Sequence, residues 1–113
     1  MRLSRHKSTT SIGTLYEKHC AMKFRLRGYL FVKRQGKSGD FGADIIMRGF
    51  LLRKIIVQCK HYKGKVGVHA VQEAIAAKQY YRASKAIVVT NSTFTKAAKD
   101  MAKRCHVKLK ERF

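Results

Sequence analysis

The spacing of apolar residues changes period along the chain, and each change predicts an element. From Ser11 to about Arg27, Ile12, Leu15, Tyr16, Cys20, Met22 and Leu26 recur at helical spacing on one broad arc. A helix that buries this arc is expected. Glu17 falls at the arc's edge beside Phe24. Gly28 stands where a glycine ends a helix, and Tyr29–Val32 reads as a short strand. Lys33–Gly39 is a basic loop. Residues 43–47 (ADIIM) and 55–60 (IIVQCK) read as the strands of a hairpin. Side chains alternate faces along a strand, so Ile56, Gln58 and Lys60 share one face. A turn centred at Leu51 and eased by Gly49 sets Asp44 opposite Gln58.

The pattern then returns to helical period. Val68–Ala83 carries two stripes, Val68, Val71 and Ile75 on one and Ala70, Ala74, Ala77 and Tyr81 on the other. Ala86–Thr90 is a continuous apolar run of the kind buried in a sheet centre. Thr95 is placed to cap a helix over Lys96–Arg104, and Val107–Leu109 adds a last strand. The order α-β-β-β-α-β-α-β implies an α/β domain, a mixed central sheet flanked by helices. Residues 11–113 are expected to form this single domain after a basic arm, residues 1–10.

Charge changes the picture. The chain has 26 Lys and Arg against 6 Asp and Glu, a net +20, which calls for a polyanionic partner. The basic residues are spread along the whole chain, so nucleic acid fits better than a membrane surface. No apolar run approaches the ~20 residues of a membrane span. No apolar stretch follows the basic start, so a secretory signal is not expected. Cys20, Cys59 and Cys105 lack zinc or disulfide spacing and read as free thiols of a reducing, cytoplasmic compartment.

Scarce acids in so basic a chain invite a local reason. Asp44 and the Gln58 amide oxygen are hard ligands suited to Mg²⁺, with Mn²⁺ as an alternative, and Lys60 can steady charge on a phosphate. The competing reading is a hairpin whose polar residues simply face solvent. Asp40 is an accessory candidate that also suits a turn cap beside Gly39 and Gly42. Gln72, near the start of the second helix, is the other accessory candidate. Lys33, Arg34 and Lys37 lie where a cleft edge is expected, and His61, Lys63 and Lys65 interleave with Tyr62 after Lys60. These are candidate phosphate contacts.

Three separated motifs, SGDFGADI, IVQCKHYKGKVGVHAVQE and IVVTNSTFTKAAKDMAKRCHVKL, resemble the catalytic domain of the Mrr family of restriction endonucleases. That family is a branch of the PD-(D/E)xK nucleases in which glutamine replaces the usual acid of the last motif. The similarity runs from about Gly13 to Leu109, and it departs at Phe41-Gly42-Ala43, where Gly-Gly-Ile is usual. The resemblance implies a restriction-endonuclease-like core and Mg²⁺-dependent hydrolysis of DNA. It implies a cation held by Asp44, Gln58 and the Cys59 backbone carbonyl, with Lys60 at the phosphate and an acid of the first helix, Glu17, contributing. Duplex or branched DNA is the expected partner, and cutting both strands calls for a homodimer. A structure-selective nuclease like the Holliday-junction resolvases is an alternative. So is a non-catalytic basic nucleic-acid binder, which explains the charge but not the alignment of acid, amide and lysine.

Overall fold

The computed structural model describes residues 11–35 and 42–113. The order is α1 (Ile12–Leu26), β1 (Leu30–Arg34), β2 (Ile45–Arg48), a 3₁₀ turn (Phe50–Leu52), β3 (Lys54–Lys60), α2 (Val68–Tyr80), β4 (Lys85–Thr90), α3 (Lys96–Cys105) and β5 (Val107–Lys110). This is the order expected from the pattern. The five strands form one sheet in the order β1-β2-β3-β4-β5. The first three are antiparallel and the last three parallel, so the sheet is mixed and β3 joins its two halves. Among the described residues, no helix is long and apolar enough to cross a membrane.

Each face of the sheet has its own core. Val57, Ile87 and Val89 join Tyr16, Cys20, Ala21 and Phe24 of α1 on one side. Ile56, Ala86 and Val88 meet Ala70, Val71, Ala74 and Ala77 of α2 and Ala98 and Ala102 of α3 on the other. The small residues of α2 and α3 let both helices approach closely. The Ser11 hydroxyl accepts from the Thr14 N–H at 3.2 Å, and the Thr95 hydroxyl accepts from the Ala98 N–H at 3.1 Å, capping α1 and α3.

Three expectations change. The apolar arc of α1 is its buried face only in part: Tyr16 and Cys20 are buried, while Ile12, Leu15, Met22 and Leu26 are more than half exposed. The helix presents Tyr16, Cys20, Ala21 and Phe24 to the sheet, and this leaves Glu17 half-buried at its margin. Lys33 and Arg34 end β1 and do not begin a loop. The hairpin turn is not relaxed by Gly49, which has φ −113°; Leu51 and Leu52 take the left-handed values, 59° and 58°. The hairpin register is as expected, with Ile45 opposite Val57 and Met47 opposite Ile55.

Gly42 links the start of β2 to α2. Its φ is +81°, and a Cβ there would lie 2.7 Å from the Glu73 carbonyl oxygen. Both the backbone conformation and the contact require glycine. Gly42→Ala is expected to destabilise the fold by about 2 kcal/mol. Urea unfolding should show a lower midpoint with an unchanged slope.

Candidate active site

Among the described residues, Glu17, Asp44 and Glu73 gather at the Lys60 end of β3. Asp44 arrives first, one residue before the β2 ladder. Its N–H donates to the Val57 carbonyl at 2.8 Å, and its carbonyl accepts from the Gln35 N–H at 2.9 Å. Its carboxylate Oδ2 accepts from the Cys59 N–H at 2.8 Å. A side chain thus takes the place of a strand partner for Cys59, which fixes Asp44 at the end of the sheet. Burial raises the Asp44 pKa; the Cys59 N–H, the Lys60 charge and the Glu17 carboxyl oppose the rise without cancelling it.

Glu17 reaches the same point from α1. It is in hydrogen-bonding contact with Asp44, and the Arg34 guanidinium lies 3.9 Å from its Oε1. Burial and the Asp44 charge push Glu17 up to about 7, against the pull of Arg34. Burial thus favours the protonated form of both carboxyl groups. Behind them the Cys20 and Cys59 thiols are neighbours, and both are free of disulfides.

Gln58 and Lys60 lie on the face toward α2, as alternation requires. Gln58 is 4% exposed. Its Nε2 donates to Glu73 Oε1 at 2.9 Å, and its Oε1 is buried with no hydrogen-bond partner. Lys60 Nζ lies 3.1 Å from the same Glu73 oxygen, and His69 Nε2 lies 3.5 Å from the other. Burial would raise the Glu73 pKa, but Lys60, Gln58 and His69 more than offset it and hold the carboxyl below its ordinary range.

Asp44, Gln58, Lys60 and Glu17 are thus brought together, with Arg34 beside them. His61, Lys63 and Lys65 are exposed in the segment after β3, and Lys33 is exposed on β1. Lys37 and Asp40 lie outside the described residues. Gln72 is not part of the site; it faces solvent, and its neighbour Glu73 takes the place expected for it. The phase of α2 decides this. Glu73 is three residues after Ala70 and four before Ala77, both buried against the sheet. The alanine stripe was therefore the signal that pointed to Glu73.

Among the described residues, no group of three His, Cys, Asp or Glu side chains is arranged to hold a metal ion. The available donors here are two carboxyl groups and the unpartnered Gln58 Oε1. A buried acceptor left without a partner costs about 1–3 kcal/mol, and burial disfavours the charged form of both carboxyl groups. A hard divalent cation relieves both, so the residues fit one.

A family model described as restriction endonuclease, that of the Mrr catalytic domain, matches residues 12–112. Among curated proteins, none matches the chain. Among solved structures, the crystal structure of a protein of unknown function, AF1548, is similar, with TM-score 0.66 and 16% identity over 86% of this chain. A complex of EndoMS with double-stranded DNA is similar with TM-score 0.58 and 15% identity over 74% of this chain. The chain spans 58% of the first of those chains and 36% of the second. At such identities the likeness shows a shared fold, a restriction-endonuclease-like one. With the family model covering nearly every described residue and the site built on β2 and β3, the chain belongs to the Mrr-type restriction endonuclease family, a family of nucleases.

Proposed function

We propose that the chain is a divalent-cation-dependent endodeoxyribonuclease domain that hydrolyses DNA phosphodiester bonds, with Mg²⁺ as the cation and Mn²⁺ able to replace it. The observation that carries this reading is the buried, unpartnered Gln58 Oε1, with the Asp44 and Glu17 carboxyl groups gathered at the same end of the sheet. Family membership supports the same chemistry.

Asp44, Gln58 through Oε1, Glu17 and the Cys59 carbonyl are the groups that would hold the cation. Bound there, it supplies charge neutralisation at the phosphate and a more acidic water. Lys60 donates from Nζ to a phosphate oxygen as negative charge builds. Glu73 holds that ammonium at 3.1 Å and turns the Gln58 amide so that Oε1 stays free. In the reaction a water oxygen bonds to phosphorus, a bridging P–O bond breaks, and the departing oxygen takes up a proton. Lys33, Arg34, His61, Lys63 and Lys65 take flanking phosphates. Cutting both strands of a duplex requires two such centres, which a homodimer provides.

Glutamine in place of an acid removes one negative charge from the donor set, so the cation should bind weakly. Nicking of supercoiled plasmid is expected to need Mg²⁺ at about 1 mM or above, to be supported by Mn²⁺ at lower concentration, and to stop in chelator. Nicking in chelator, or saturation with micromolar Mg²⁺, would contradict the proposal.

A further inference from the structure

The segment after Lys60 is exposed, yet it is anchored like a piece of the sheet. β3 ends at Lys60, opposite Thr90 of β4. Beyond that pair, the Asn91 side chain continues the ladder. Its Oδ1 accepts from the Tyr62 N–H at 2.8 Å, and its Nδ2 donates to the Tyr62 carbonyl at 2.9 Å. The Ser92 hydroxyl donates to the Gly64 carbonyl at 2.8 Å. Val66 then pairs with Phe94, and both side chains are buried. At the start of the segment, the His61 ring meets the Tyr16 ring edge-on at 5.3 Å. A connection this short closes without such anchoring. Fixing it serves whatever the exposed residues touch.

Tyr62 is the residue this clamp holds. Both backbone groups are pinned, while its side chain remains 42% exposed. A tyrosine on a fixed backbone has two torsions to order, so contact with it costs little entropy. Lys63 and Lys65 follow, both exposed, with Gly64 between them in open space. Lys60 precedes Tyr62 by two residues, about 7 Å of extended chain. A phosphate held at Lys60 therefore places the adjoining nucleotide within reach of the ring. A paired base offers the grooves only its edges; its face is open to a ring only when it is unpaired.

We propose that Tyr62 is a stacking platform for an unpaired nucleobase next to the cleaved phosphate, with Lys63 and Lys65 on the phosphates beyond it. The preferred substrate then carries a single-stranded stretch or branch at the cut. This inference rests on the reading of the chain as DNA-cleaving, and its test is made without cleavage.

Binding is measured by fluorescence anisotropy in chelator, with an intact duplex, the matching single strand, and a flap carrying 2-aminopurine at its first unpaired position. Tyr62→Ala is expected to weaken binding to the single strand and the flap about tenfold and to the duplex by about twofold or less. Tyr62→Phe should bind like the wild type. The 2-aminopurine emission should be quenched by the wild type and by Tyr62→Phe, and not by Tyr62→Ala. An equal loss on all three DNAs, or no loss on the single strand, overturns the proposal. If Mg²⁺ brings no cleavage while the Tyr62 dependence persists, the nuclease reading fails and the platform stands. If plasmid is nicked but the dependence is absent, the platform fails alone.

Discussion

Lys60→Ala is expected to lower plasmid nicking at saturating Mg²⁺ by about 10³-fold while leaving DNA binding in chelator within about threefold. The side chain is 22% exposed and held by Glu73, so its ammonium occupies one place relative to Asp44 and Gln58. A donor fixed where charge builds is worth about 10²–10³ in rate, because it needs no reorganisation during reaction. Binding draws on the whole cation set. Removing one charge from +20 changes it little. Lys60→Arg tests whether charge alone suffices. The guanidinium is longer and planar, and it cannot repeat the compact contact with Glu73, so most of the loss should remain. Circular dichroism checks the fold of both variants. Wild-type nicking by Lys60→Ala would remove Lys60 from the mechanism.

The hairpin was legible because two local rules agree. Period-2 alternation fixed which residues share a face, and a turn at Leu51 fixed the register, so Asp44, Gln58 and Lys60 could be placed before any tertiary contact was known. The sheet's buried centre was legible from Ala86–Thr90 for a similar reason, since a strand covered on both faces has no polar alternation. The face of α1 was legible only in part. Its expected arc shared Tyr16 and Cys20 with the buried face, but the helix is turned toward Ala21 and Phe24, which leaves Ile12, Leu15, Met22 and Leu26 exposed. Periodicity reports how apolar each face is; it does not report the space opposite. The αL turn at Leu51 and Leu52 was hidden for a related reason, as apolar residues rarely take that conformation.

The same distinction separates the acids. Asp44 was found from register, a local property. Glu17 was reached through family resemblance, since its half-buried place depends on how α1 is turned against the sheet. Glu73 was missed because the choice between it and Gln72 is a matter of helix phase, one residue or 100° of rotation. The Ala70–Ala77 stripe carried that phase.

Asp44→Asn is expected to abolish nicking, by at least about 10³-fold, and to stabilise the metal-free protein at high pH. The two effects have one cause. Glu17 moves from its ordinary 4.5 to about 7 on folding, chiefly through burial and then through the Asp44 charge. A carboxyl whose folded value is raised contributes stability that is fully present below about 4.5 and is lost as pH climbs through about 7. The raised Asp44 acts in the same sense. Glu73 and Glu111 are lowered, so their contributions are present above 4.5 and disappear only in acid. In chelator, the wild-type Tm should therefore fall between pH 5 and pH 8. Asparagine keeps an oxygen for the Cys59 N–H and removes the charge beside Glu17. At pH 8 it should raise Tm by about 4 °C, roughly 1 kcal/mol for a domain of this size, and flatten the pH slope. Mg²⁺ should raise the wild-type Tm more at pH 8 than at pH 5, and the variant's hardly at all. A lower Tm for Asp44→Asn at pH 8 would make the carboxylate a structural acceptor. A higher Tm with lost nicking would show that the fold carries this acid at a cost, because the chemistry needs a negative charge where the protein alone disfavours one.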